Sequence, residues 1–124
     1  MEKITTSNAP AAIGPYSQAF CAGGLLFTSG QLGLDPATGL SAGDTVEAQA
    51  EQSCKNVGAI LEAAGIGYAQ VVKTTCFLAD MNDFAAFNQV YAKYFTGNPA
   101  RSCVAVKTLP KNMLCEIEVI AELP

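Results

Sequence analysis

VEAQAEQSCKNVGAILEAAGIGYAQVVKTTCFLA, residues 46–79, changes its hydrophobic period once, and that change decides the fold class. In its first half Val46, Ala50, Cys54, Val57 and Leu61 recur at spacings of 4, 4, 3 and 4, the stripe of an amphipathic helix over 46–64. Asp44 with Glu47 three residues on makes a capping-box-like start, and Gly65 is a natural stop. Glu51 and Lys55 are spaced for an exposed ion pair. The second half, residues 70–79, is rich in β-branched residues and predicts a strand.

Working outward, residues 17–22 and 25–31 are apolar and β-prone, and Gly23-Gly24 between them predicts a hairpin. Residues 33–44 are punctuated by Asp35-Pro36 and Thr38-Gly39, a turn-rich connection. Downstream, Phe84, Phe87, Tyr91 and Tyr94 fall at spacings of 3, 4 and 3 in a second helix over 83–95, with Asn82 as cap and Gly97 as stop. Core packing is the simplest use of that aromatic face. Two further strands are expected at 101–107 and 114–123. The order β-β-α-β-α-β-β, with hairpins at both ends, predicts one sheet covered on one face by two helices, a single α+β domain over 1–124.

Composition narrows the function. Of 124 residues half are apolar and 15% charged, enough apolar material to offset the entropy of ordering. Seven basic against eleven acidic residues give a net charge of −4, and the six lysines are scattered. No basic stripe exists, so nucleic acid is a poor partner. No histidine is present, which removes Ser-His and Cys-His nucleophile pairs and histidine metal sites. The five cysteines, 21, 54, 76, 103 and 115, form no C-x-x-C pair; four lie inside strand or helix patterns, where cysteine serves as a small buried hydrophobe. No apolar run approaches a membrane span and the first residues resemble no secretory signal, so a reduced, cytoplasmic or organellar setting is expected. Charge this sparse on a small chain, and a sheet face left open, predict a homo-oligomer.

Arg101 is the only arginine. Alternation along RSCVAV places Arg101, Cys103 and Ala105 on one face and Ser102, Val104 and Val106 on the other. A guanidinium among small and apolar neighbours needs an acidic partner, because an unpaired buried charge costs several kcal/mol. That partner is either an internal carboxylate, Glu116 or Glu118, or the carboxylate of a small ligand gripped by two parallel hydrogen bonds. Glu116 and Glu118 share a face of the last strand, either as a solvated face or as a carboxylate that handles water and protons. Gly14-Pro15-Tyr16-Ser17 and Ser29-Gly30-Gln31 flank the first hairpin, where glycine permits a ligand to approach backbone N–H groups. Taken singly, each is a weak signal.

Taken together they are specific. Ala11-Ala12-Ile13-Gly14-Pro15-Tyr16-Ser17-Gln18, Thr28-Ser29-Gly30-Gln31, Val72-Lys73-Thr74-Thr75, Pro99-Ala100-Arg101-Ser102-Cys103-Val104 with Leu109-Pro110, and Glu116-Ile117-Glu118 occur in this order over essentially the whole chain. The set resembles the Rid (reactive intermediate deaminase) family, also called the YjgF/YER057c/UK114 family, in its arginine-bearing subgroup.

The resemblance implies a chorismate-mutase-like α+β fold and a homotrimer, with a central barrel of strands, helices outside, and three ligand clefts between subunits. It implies hydrolysis of 2-imino acids, which arise when pyridoxal-phosphate dehydratases act on serine or threonine, to 2-oxo acids and ammonia. No metal or organic cofactor is implied. Carried over residue by residue, Arg101 holds the substrate carboxylate and Glu116 orients or protonates the attacking water. Tyr16 and Ser29 line the cleft, Cys103 contributes backbone groups near the imine carbon, and Gly30 gives a backbone donor to the carboxylate. A protonated imine is already electrophilic, so placement, a proton route and a water suffice. Cys103 as a covalent nucleophile has no neighbour in sequence to activate it. The stretch Phe95–Pro99 is shorter than in typical members, so the cleft edge is expected to differ, and Cys115 replaces a usual aliphatic residue. Competing readings are a module that binds 2-oxo acids without turnover, and the ribonuclease and translation-inhibitor roles that some family names mention.

Overall fold

The structure is a computed structural model that describes residues 1–124. Seven strands and two helices run in the order β1 (Glu2–Ile4), β2 (Ala19–Ala22), β3 (Leu25–Thr28), β4 (Gln31–Leu32), α1 (Val46–Ala63), β5 (Val71–Leu78), α2 (Phe84–Tyr94), β6 (Ala100–Ala105) and β7 (Cys115–Glu122). The strands make one mixed sheet ordered β1-β2-β3-β7-β5-β6, with β4 also paired to β7. Both helices cover the same face, as the sequence predicts, and this is the α+β architecture expected. The expected hairpin at the C-terminal end is not formed. β5 lies between β6 and β7 and pairs in parallel with β6, because the α2 crossover returns the chain in the direction in which it left β5. β7 therefore takes a central place and β6 an edge.

Sequence periodicity located the core. Val46, Ala50, Cys54, Val57 and Leu61 of α1 are all buried, with Ile60 beside them. They meet Cys115, Ile117, Val119 and Ala121 of β7 and Cys76 and Leu78 of β5. Each fully buried Leu, Ile or Phe contributes about 1.5–3 kcal/mol relative to an exposed one. The 2-residue turn of the first hairpin is Gly23-Gly24, with φ of 61° and 79°, a left-handed pair that matches the twist of the strands. β1 and β4 were not anticipated, being three and two residues long with too few positions to establish a period.

Local details differ in three places. Thr45, not Asp44, caps α1: its hydroxyl accepts from the Ala48 N–H at 3.2 Å. Glu47 therefore falls one residue short of the position a capping box needs. Before α2, Asp80 rather than Asn82 accepts a backbone N–H, that of Asn82 at 2.9 Å, in a 3-10 turn that leads into the helix. Glu51 does not reach out to Lys55. It is half-buried, with one carboxylate oxygen enclosed and unbonded, since α2 packs over that stretch of α1. No helix is long and apolar enough to cross a membrane.

Three buried amides fasten loops to this frame. The Gln49 carbonyl accepts from Leu114 N at 2.7 Å and its amide donates to Gly43 O at 3.0 Å. Asn56 donates to Leu32 O and Leu34 O at 3.0 and 2.9 Å. The Gln18 amide donates to Thr6 O, Ala9 O and Pro10 O, and its carbonyl accepts from Thr6 N. Each bond satisfies loop backbone that the core would otherwise strip of water.

Candidate functional site

The candidate residues fall into two groups on opposite faces of the sheet. Arg101 sits on the edge strand β6 opposite Thr74 of β5, on the face the helices cover. Its guanidinium reaches α2, where Nη1 donates to Asn88 Oδ1 at 2.7 Å. The guanidinium carbon lies 4.8 Å from the centre of the Tyr91 ring and 5.4 Å from that of Phe84, cation–π distances in both cases. The Tyr91 hydroxyl is 2.7 Å from Thr74 Oγ1, and its ring stacks on Phe95 at 4.6 Å. No carboxylate of the chain pairs with Arg101; its partners are one amide and two aromatic rings. The internal ion pair with Glu116 or Glu118 is not made, because those acids point to the other face.

Cys103 follows Arg101 on the same face and is half-buried. Burial pushes its thiol up, and the nearby Arg101 charge pulls it down less strongly. Arg101, two residues back on the same face, is thus a cationic neighbour that the expectation of no activating neighbour in sequence overlooked, but it does not outweigh burial. The other four cysteines are buried in the core.

Tyr16, Ser29, Gly30 and Glu116 gather around one cavity of about 830 Å³ on the opposite side, with Lys111 at its margin. Glu116 projects from β7 away from the helices, and burial, aided by the neighbouring Glu118, holds its carboxyl above the usual carboxylate range. A Cβ at position 30 would lie 2.6 Å from Glu116 Cδ, so glycine is what lets this carboxyl lie against the backbone. The Ser29 hydroxyl donates to Ser17 O at 2.6 Å, and Ser29 N donates to Gln18 O at 2.9 Å. Those bonds tie the end of the first hairpin to the segment that presents the exposed Tyr16. Lys111 and Asn112 both adopt left-handed backbone, with φ of 57° and 53°, at the turn that carries the chain into β7.

A single chain therefore unites four of the six candidate residues and leaves Arg101 and Cys103 apart. Phe84, Asn88 and Tyr91 around Arg101 were not singled out by sequence reasoning as site residues. The signal was available: Asn88 falls four residues after Phe84 and three before Tyr91, a polar residue on the aromatic face. The stretch Phe95–Pro99 before Arg101 places Phe95 in the core and turns at Asn98, whose φ is 51°.

Comparison with known proteins identifies relatives over the whole chain. The family model described as Endoribonuclease L-PSP matches residues 6–123. The 2-iminobutanoate/2-iminopropanoate deaminase of Salmonella typhimurium is 54% identical, over 95% of this chain and 94% of the relative. Among solved structures, Escherichia coli TdcF with bound serine superposes with a TM-score of 0.94 at 44% identity, covering all of both chains. The Escherichia coli YjgF gene product superposes with a TM-score of 0.92 at 50% identity, over 98% of each.

Proposed function

The chain belongs to the Rid (YjgF) family, and on that premise we propose that it hydrolyses small 2-imino acids, of the 2-aminoacrylate and 2-iminobutanoate class, to 2-oxo acids and ammonia. The observation that carries this reading is Arg101. A guanidinium at a sheet edge, seated only on an amide and two rings, keeps its charge for a carboxylate from outside the chain. The serine in TdcF is a small carboxylate of the same kind.

In this reading two copies complete one site within a homotrimer. The Arg101 group of one chain faces the Tyr16, Ser29, Gly30 and Glu116 group of its neighbour. The apolar open face, with Phe20, Phe27 and Val104 exposed, supplies the surface that the copies bury. Arg101 grips the substrate carboxylate with two prongs, assisted by the Gly30 N–H. Cys103 lies beside the imine carbon and contributes its backbone. The protonated C=N carbon accepts a water held by Glu116, Tyr16 and Ser29. Glu116, with its raised carboxyl, takes a proton from that water and returns it to the amine of the resulting carbinolamine. The C–N bond then breaks while the Glu116 carboxylate takes the remaining hydroxyl proton and passes it to the departing ammonia, so that ammonium leaves, the 2-oxo acid remains and the carboxylate is restored.

The test is ammonia release from 2-aminoacrylate generated in situ, for wild type and Arg101→Ala. Release by wild type above buffer, lost in the variant, is the expected result. Wild type that matches buffer yet binds 2-oxobutanoate overturns the deaminase reading and leaves a module that binds small carboxylates without turnover, a second reading with which the serine bound to TdcF is compatible. The description Endoribonuclease L-PSP raises RNA cleavage as well; the net charge of −4 and the lack of histidine weigh against it.

A further inference from the structure

A charge-bearing side chain that must stay both ordered and unpaired poses a physical problem. A free arginine loses rotamer entropy on binding, whereas an arginine ordered by a carboxylate is already neutralised. Arg101 escapes both. Its Nη1 is fixed by Asn88 Oδ1 at 2.7 Å, and its plane lies near the Tyr91 and Phe84 rings. The amide orientation of Asn88 follows from chemistry, since a guanidinium has donors only and just the carbonyl oxygen can accept. Asn88 is half-buried on α2 and has no other side-chain hydrogen bond. Tyr91 is in turn fixed by Thr74.

We propose that Asn88 is the positioning residue of Arg101, and that its neutrality is the functional property: it orders the guanidinium without spending its positive charge, so that the fork is preorganised for a carboxylate. The inference rests on the reading of Arg101 as an anion grip and deepens it by naming what tunes the affinity. An aspartate in the same place would accept the same bond and keep the same shape, yet would turn the grip into an internal ion pair.

The experiment is calorimetric titration of 2-oxobutanoate and of its neutral amide into wild type, Asn88→Ala and Asn88→Asp, with steady-state turnover in parallel. Loss of one charge-assisted hydrogen bond should weaken oxo acid binding about tenfold in Asn88→Ala. A carboxylate beside the grip should weaken it about a hundredfold in Asn88→Asp. The amide should bind all three proteins alike, and the turnover loss should fall on KM with kcat within about threefold, as expected for uniform binding. Equal affinity of Asn88→Asp and wild type, or equal losses in the two variants, would overturn the inference. A wild type that binds the oxo acid with this pattern but releases no ammonia would sink the deaminase reading and leave the role of Asn88 standing.

Discussion

The helix-covered face and the open face of the sheet treat charge in opposite ways. On the covered face one cation is ordered by neutral partners, an amide oxygen and two aromatic rings. On the open face an acid is crowded by burial and a second acid, so that its charged form is disfavoured. Neither arrangement is at its lowest energy alone. In the proposed function, the guanidinium without an anion and the carboxyl biased toward its protonated form serve the two ends of an imino acid, its carboxylate and its reacting carbon. The difference teaches that the two halves are set up separately, and in the proposed function the two faces are brought together by a second copy. One chain cannot do this, because its own sheet stands between them.

That comparison can be broken experimentally, most severely at the cation. Arg101→Ala should lower kcat/KM for 2-aminoacrylate about a thousandfold, and Arg101→Lys should recover little of it, because an ammonium offers no two-pronged grip. Comparable turnover in the lysine variant would contradict the role given to the guanidinium. Glu116→Gln should reduce kcat about a hundredfold with little change in 2-oxobutanoate affinity, and Glu118→Gln should do less. The reverse order would transfer the proton role to Glu118.

Mixing sharpens the comparison further. When Arg101→Ala and Glu116→Gln chains are co-expressed, about a quarter of the clefts of a randomly assembled oligomer should contain both native halves. Activity should rise from near zero to about that fraction of wild type; no recovery would place both groups in one chain's site. Gly30→Ala sets a new methyl 2.6 Å from Glu116 Cδ. Because the obstructing atom belongs to a side chain that can swing, the melting temperature should fall little while kcat drops about tenfold. A drop in Tm with unchanged kcat would mean that the carboxyl does not need that position.

The smallest effect is on stability against pH. Glu116 is raised in the folded chain, so across the interval between its unfolded and folded values the native state holds the extra proton. Stability from this group is therefore greatest at low pH and falls as pH rises through the folded value. Glu116→Gln should then melt above wild type at neutral pH, and the advantage should vanish below the ordinary carboxylate range, near about pH 4. Thermal melts from pH 3 to 8, on the order of the range in which carboxylates titrate, would expose the opposite slope if the raised value were wrong.

Much of the fold was legible because periodicity is a local property. The 4-4-3-4 stripe of α1 and the alternation of β7 each name the buried face before any contact is known, and both were obeyed residue by residue. Pairing was not legible. β6 and β7 are adjacent in sequence and read as a hairpin, yet β5 separates them, since the parallel crossover through α2 is decided by how the layers pack. The Glu51–Lys55 pair failed for the same reason: helix spacing predicts proximity, but α2 covers that part of α1.

By itself the sequence determined the class of architecture, the covered and open faces, and the identity of the residues that carry charge into them, because those depend on spacing along the backbone. Only the tertiary structure decided what holds Arg101. Asn88 and Tyr91 reach it through a helix packed against an edge strand, and an amide rather than a carboxylate happens to stand at the meeting point. The sign of the charge left over there depends on contacts between distant segments, which no local pattern encodes.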